Sequence, residues 1–332
     1  MRSPRRIAVL GAGSWGTALA VHLSAGGRPT LLWTRREEDA RLCRAHGANP
    51  RYLADVRWPA ELAIGTDLSG IVAEAAAIVV AVPSAALRAT LAALAPDLRP
   101  DTPVLLACKG FEWPGTALPH EIAADVLGPV RPVAVLAGPS FARGLARGDP
   151  TAVVVASRGR AGRAFQKLLH RGTLRVYASR DIVGAEVGGA VKNVVAIGAG
   201  LCDGLGMGAN ARAALITRGL AEIIRLGAAL GGRRATFMGL SGLGDLVLTA
   251  TDDASRNHRL GRLLADGRSL AAAQAEIGQT AEGVLSSRAV AVRAQRAGVE
   301  MPICAVVDRI LHEGLGPGEA VRLLLERAPG RE

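Results

Sequence analysis

Arg6-Ile-Ala-Val-Leu10-Gly11-Ala-Gly13-Ser-Trp15-Gly16-Thr-Ala-Leu-Ala20-Val-His-Leu-Ser-Ala25 decides how this chain is read. A short β-favouring run, a glycine-rich turn and an Ala/Leu-rich helical run follow one another without a gap. In that context Gly11 permits the tight turn, Gly13 lets a pyrophosphate approach the backbone, and Gly16 allows the helix to pack closely on the strand. The free N–H groups and dipole of the helix then receive negative charge. The stretch predicts a dinucleotide site at the first strand-to-helix turn of an α/β domain.

Working outward, further β-favouring runs occur at Pro29–Trp33, Leu62–Gly65, Ala77–Val82, Pro103–Ala107, Val133–Ala137, Ala152–Ala156 and Thr173–Tyr177, with helical patterns between several of them. Continuous apolar strands such as Ala77–Val82 are buried on both faces, which is the pattern of a mostly parallel sheet covered by helices. From about Asp181 the strand signals stop and the chain reads as helices broken by Gly-rich turns. The expectation is a Rossmann-like N-terminal domain over residues 1–180 and an all-α C-terminal domain over 181–332, the latter carrying substrate and catalysis. There is no internal repeat, and only a short polar end at Ala328–Glu332.

The second strand run ends in Trp33-Thr-Arg35-Arg36, about twenty residues beyond the glycine turn. An NAD-preferring site places a carboxylate there for the ribose 2′-hydroxyl, whereas arginines suit a 2′-phosphate. Arg35 and Arg36 therefore favour NADP(H) over NAD(H), with Glu37 and Glu38 just behind them leaving NAD(H) open.

Of forty basic residues only three are lysines, Lys109, Lys167 and Lys192. Arg keeps its charge at any working pH, while a buried Lys can be tuned to give up a proton. Lys192 lies in Gly184–Gly200, which reads as one helix despite five glycines. Each costs about 1 kcal/mol against Ala in a helix interior, so the run makes sense where something packs against its backbone. In such a dry setting the ammonium of Lys192 loses hydration and its pKa falls toward a range useful for proton transfer. Asn193 adjoins it, although neighbours on a helix point in different directions. Lys109, after the strand Pro103–Ala107, is either the first exposed residue beyond a buried strand or a contact for an anionic ligand. Asp245, in Gly242-Leu-Gly244-Asp245, is either a helix cap or a carboxylate that orients a lysine. Ser255-Arg256-Asn257 offers donors suited to a phosphate, and an ordinary polar loop has the same composition. Lys167 sits in an amphipathic segment and reads as a solvated charge.

The net charge of +11 invites a nucleic-acid reading, but arginines are dispersed, aromatics make up 3%, and no basic run is interleaved with stacking residues. A positive field still speeds the encounter with an anionic small substrate. Four scattered cysteines argue against a zinc knuckle or a disulfide framework, and no metal site is expected. The longest uncharged apolar run, Ala75–Leu87, is too short to span a membrane and contains Pro83, and only Ile7–Leu10 is apolar ahead of Gly11, so no secretory segment is read. A cytoplasmic enzyme is expected.

Beyond these patterns, the strings at 11–20, Cys108-Lys109-Gly110, 137–142, 188–200, 242–249 and 255–257 closely resemble the bacterial NAD(P)-dependent glycerol-3-phosphate dehydrogenases, in order along the chain. The resemblance implies interconversion of dihydroxyacetone phosphate and sn-glycerol 3-phosphate for phospholipid synthesis. It implies that Lys192 is the proton acceptor, positioned by Asp245 and Asn193, and that Lys109 meets both substrate and cofactor. It assigns substrate contacts to Gly138, Ser140, Asp245, Ser255, Arg256 and Asn257, and cofactor contacts to Ser14, Trp15, Arg35, Ala142, Arg256, Thr280 and Glu282. A homodimer is what such relatives suggest. The rival readings are an NADP-dependent reductase of another small oxo acid and a non-catalytic NADP(H)-binding regulator.

Overall fold

The computed structural model describes Arg6–Glu326 of the chain. The polar end at Ala328–Glu332 lies outside the described residues. Eight strands form one sheet: β1 (Arg6–Leu10), β2 (Thr30–Trp33), β3 (Leu62–Gly65), β4 (Ala75–Val80), β5 (Val104–Leu106), β6 (Val133–Ala137), β7 (Thr151–Ala156) and β8 (Leu174–Ser179). Their order is β3-β2-β1-β4-β5-β6-β7-β8, so the chain starts in the middle, winds to one edge and returns past its starting strand. The first six strands thus have the order of a doubly wound dinucleotide-binding fold. They pair in parallel throughout, while β7 pairs antiparallel with β6 and β8 runs parallel to β7. Each strand coincides with an apolar run in the sequence. At β4 the pairing begins two residues earlier than the pattern suggests, because a bulge between Arg6 and Ile7 brings Ala75 into register.

The described residues fall into two compact units. One runs to Cys108 and resumes from Leu118 to Ile182; the other comprises Lys109–Ala117 and the chain from Val183 onward. The first unit contains the sheet and a core that includes Val9, Leu19, Leu32, Val79, Leu105, Leu136 and Phe165. Burying each such side chain is worth about 1.5–3 kcal/mol.

The second unit is helical, apart from the arm Lys109–Ala117. Its axis is the helix Ile182–Gly204, in which every residue from Gly184 to Cys202 is buried. That helix is long and apolar enough to cross a membrane, yet 89% of its apolar window is covered by the rest of the protein, as befits a core helix. Lys167, in the first unit, is exposed on the helix Arg160–Leu169.

Candidate active site

In the first unit the turn after β1 has the geometry its glycines imply. Gly11 has φ +110°, and a Cβ there would lie 2.7 Å from the Ala81 carbonyl oxygen. A Cβ on Gly16 would come within 1.9 Å of the Gly11 oxygen, so only glycine lets the helix start this close. Gly13, by contrast, faces open space: nothing lies within 4 Å of where its Cβ would be. That gap over the start of the helix Ser14–Ala25 suits the pyrophosphate of a nicotinamide dinucleotide. The Trp15 indole N–H beside it is buried with no acceptor among the described residues. The buried side chain of Asn49 braces the turn, its Nδ2 donating to Ala12 O and Thr17 Oγ1, each at 2.9 Å.

At the end of β2 the two arginines differ. Arg36 starts the helix Glu37–His46 and pairs with Glu38 at 3.3 Å and Asp39 at 3.5 Å. Arg35 is exposed and makes no hydrogen bond or ion pair among the described residues. Glu38 is thereby tied to its own helix start. Gly138 (φ +109°) follows β6, and its carbonyl accepts from Ser140 Oγ at 3.1 Å; Ala142 opens the helix Ala142–Arg147.

The second unit brings Lys192, Lys109, Asp245 and Thr249 together. Lys192 is only 6% exposed; its Nζ donates to Asp245 Oδ1 and, at 2.8 Å, to Thr249 Oγ1. Lys109 Nζ donates to the other carboxylate oxygen, Asp245 Oδ2, at 2.8 Å. Thr249 Oγ1 in turn donates to the Asp245 carbonyl at 2.6 Å, which aims its lone pairs at Lys192. Burial is the largest influence on Lys192 and pushes its pKa down; the neighbouring Lys109 ammonium adds to that, Asp245 opposes it, and the balance lies at about 7.

The glycines of the long helix explain how these segments meet. A Cβ on Gly188 would lie 2.2 Å from Ser241 O, in the π-helical turn Leu240–Gly244 that delivers Asp245. A Cβ on Gly200 would lie 1.9 Å from His258 O, in the helix Arg256–Ala265. Asp245 is the first residue of the helix Asp245–Thr251 and makes no cap bond there; its carboxylate serves the two lysines.

Asn193, expected to position Lys192, makes no hydrogen bond to it among the described residues. It lies one residue on, so its amide points elsewhere, donating to Lys109 O and Gly189 O at 3.2 Å each. Asn257 Nδ2 donates to Asn193 Oδ1 at 3.0 Å, and Asn257 Oδ1 accepts from Gly283 N at 3.1 Å. Ser255 caps its helix by accepting from His258 N at 3.2 Å. Ser255 therefore caps its own helix and Asn257 ties Asn193 to Gly283, while Arg256 between them is half-buried. Thr280 is exposed, and Glu282 stands at the N-terminus of the helix Gly283–Arg296. Thr249 and Asn49 were missed by sequence reasoning: Thr249 ends the 242–249 string but was given no role there, and Asn49 is a single polar residue in a loop with no motif of its own. Among the described residues no group of three or more His, Cys, Asp or Glu side chains has the geometry to hold a metal ion.

Comparison with known proteins decides what such a site belongs to. Residues 6–162 match the family profile described as the NAD-dependent glycerol-3-phosphate dehydrogenase N-terminus, and residues 181–322 match its C-terminus. The chain belongs to the NAD-dependent glycerol-3-phosphate dehydrogenase family. Within that family it is similar to a glycerol-3-phosphate dehydrogenase [NAD(P)+] of Aromatoleum aromaticum, 52% identical over 98% of this chain and 100% of the relative. The corresponding protein of Methylococcus capsulatus is 50% identical over 98% of each chain. The crystal structure of the glycerol-3-phosphate dehydrogenase of Coxiella burnetii superposes with a TM-score of 0.94 at 43% identity, covering 97% of this chain and 99% of that one.

Proposed function

We propose that this protein interconverts dihydroxyacetone phosphate and sn-glycerol 3-phosphate, supplying the backbone of phospholipids, with Lys192 as the general acid and base. The observation that carries the reading is the buried Lys192 on Asp245 and Thr249, with its pKa lowered to about 7. A nicotinamide dinucleotide, when bound, exchanges hydride with the ketone carbon.

The protein's own part is the proton. In reduction, protonated Lys192 donates an Nζ–H to the ketone oxygen as negative charge develops there, and is left as a neutral amine. In oxidation the neutral amine removes the hydroxyl proton. Asp245 and Thr249 keep Nζ oriented in both states, and Lys109 presents a second positive charge to an anionic substrate. Arg256, at a helix start capped by Ser255 and braced by Asn257, is the proposed phosphate ligand, where a planar fork of donors suits phosphate oxygens. Gly138 and Ser140 are proposed to complete the substrate contacts.

For the cofactor, Gly11, Gly13, Ser14, Trp15 and Gly16 are proposed to receive the pyrophosphate end. Arg35, without a partner among the described residues, supports NADP(H) over NAD(H), and Arg36, already paired, contributes less. Ala142, Thr280 and Glu282 are proposed cofactor neighbours. We further propose that the enzyme works in the cytoplasm and as a homodimer. Near-full-length likeness to one family disfavours both a reductase of another oxo acid and a non-catalytic regulator.

The test is loss of NADPH absorbance on adding dihydroxyacetone phosphate, repeated with NADH. Turnover with preference for NADPH is expected. Cofactor binding without turnover would overturn the assignment.

A further inference from the structure

The arm Lys109–Ala117 packs as part of the helical unit, although it is inserted between two strands of the sheet in sequence. Its first residue is held against the long helix: Lys109 O accepts from Asn193, and its side chain passes 3.5 Å from where a Cβ on Gly189 would be. Its far end lies on the helix Gly283–Arg296. Arg296 Nη1 donates to Thr116 Oγ1 at 3.1 Å, Arg293 Nη1 reaches Thr116 O at 3.5 Å, and the Arg288 guanidinium stands 6.0 Å from the centre of the Trp113 ring. Thr116 is fully buried and has φ +63°. A β-branched residue rarely adopts that conformation, which is strained and persists where surrounding contacts impose it. Within the arm, Glu112 and Thr116 close a turn through Thr116 N and Glu112 O at 2.9 Å.

We propose that this arm is a positioning element for the proton-transfer site: Arg296, with Arg293 and Arg288, clamps Thr116 and Trp113 so that Lys109 Nζ stays on Asp245 beside Lys192. The inference rests on the reading of Lys192 as the proton donor and adds Arg296 and Thr116, which touch neither lysine, to the residues that tune it. The charged groups that act most strongly on Lys192 are Asp245 and Lys109. If the arm loosens, the like charge moves away and the carboxylate is left to Lys192 alone, so both changes favour the protonated amine.

The chain has only three lysines, so the full-length protein carrying 13C-labelled lysine gives three Cε signals, and a Lys192→Met variant identifies the one of interest. In the wild type that signal is expected to titrate near 7. Arg296→Met and Thr116→Val are expected to raise the midpoint by about 0.5–1 unit, and Lys109→Met by at least as much. Thr116→Ser keeps the hydroxyl and is expected to titrate as the wild type. Thermal unfolding establishes that each variant is folded; should Arg296→Met fail to fold, Arg288→Ala, at an exposed position, loosens the same end of the arm. The proposal is overturned if folded arm variants leave the Lys192 midpoint unchanged, or if Thr116→Ser shifts it as Thr116→Val does. The titration needs no turnover, so absence of activity toward dihydroxyacetone phosphate sinks the proposed function and leaves this test standing.

Discussion

Lys109 and Lys192 donate to opposite oxygens of one carboxylate, Asp245 Oδ2 and Oδ1. Two ammonium groups and one carboxylate carry a net positive charge where Asp245 is 1% exposed and Lys192 is nearly as buried. Such a cluster relieves itself by releasing a proton. Of the two lysines, Lys192 is the deeper, with 7% of its side chain exposed against 17% for Lys109. That difference supports the proposed role of Lys192 as the donor.

The direction of the pH dependence follows. With Lys192 as the proposed proton donor, kcat/KM for reduction is expected to be flat in acid and to fall as pH rises through about 7. Oxidation needs the neutral amine and rises through the same range, by about tenfold per pH unit on the limiting side. Initial rates in both directions, on each side of neutrality, check this. Parallel profiles in the two directions would not fit a single acid/base group.

Two glycines make opposite predictions. Gly188→Ala gains about 1 kcal/mol of helix propensity but forces a Cβ to 2.2 Å from Ser241 O, just ahead of Asp245. A net loss of about 1–3 kcal/mol is expected in thermal unfolding, together with a lower kcat as the carboxylate is displaced. Gly13→Ala places its methyl in open space, so stability is expected to hold while KM for the cofactor rises.

Cofactor choice is expected to rest on Arg35. Losing a charge-assisted contact to a phosphate costs about 1.5–3 kcal/mol, so Arg35→Ala is expected to raise KM for NADPH about tenfold or more and leave NADH little changed. Arg36→Ala is expected to do less, since Glu38 and Asp39 already occupy its guanidinium. Steady-state KM values with both cofactors separate the two residues.

The strands were legible because apolar β-branched runs bounded by turns have few other uses, and all eight overlap the runs that the pattern has, β4 displaced by two residues. Strand direction was not, since the side-chain alternation of β7 is the same whichever way it runs. The glycines of the long helix signalled close packing, though not that Gly188 meets Ser241 and Gly200 meets His258. The arm Lys109–Ala117 was hidden because its anchors, Arg288, Arg293 and Arg296, are ordinary helix arginines far along the chain. Asn193 and Asn257 showed the right chemistry in the sequence, but an amide can face a ligand or a neighbouring backbone, and only the fold displays the ladder from Lys109 through both to Gly283.

The most direct measurement on the central claim is single-turnover reduction of dihydroxyacetone phosphate by Lys192→Ala, with NADPH affinity measured on the same protein. Loss of a positioned proton donor is expected to slow the chemical step by about 10²–10⁴-fold while NADPH binds as in the wild type. A near wild-type rate with normal cofactor binding would contradict the role of Lys192, and with it the account of the site.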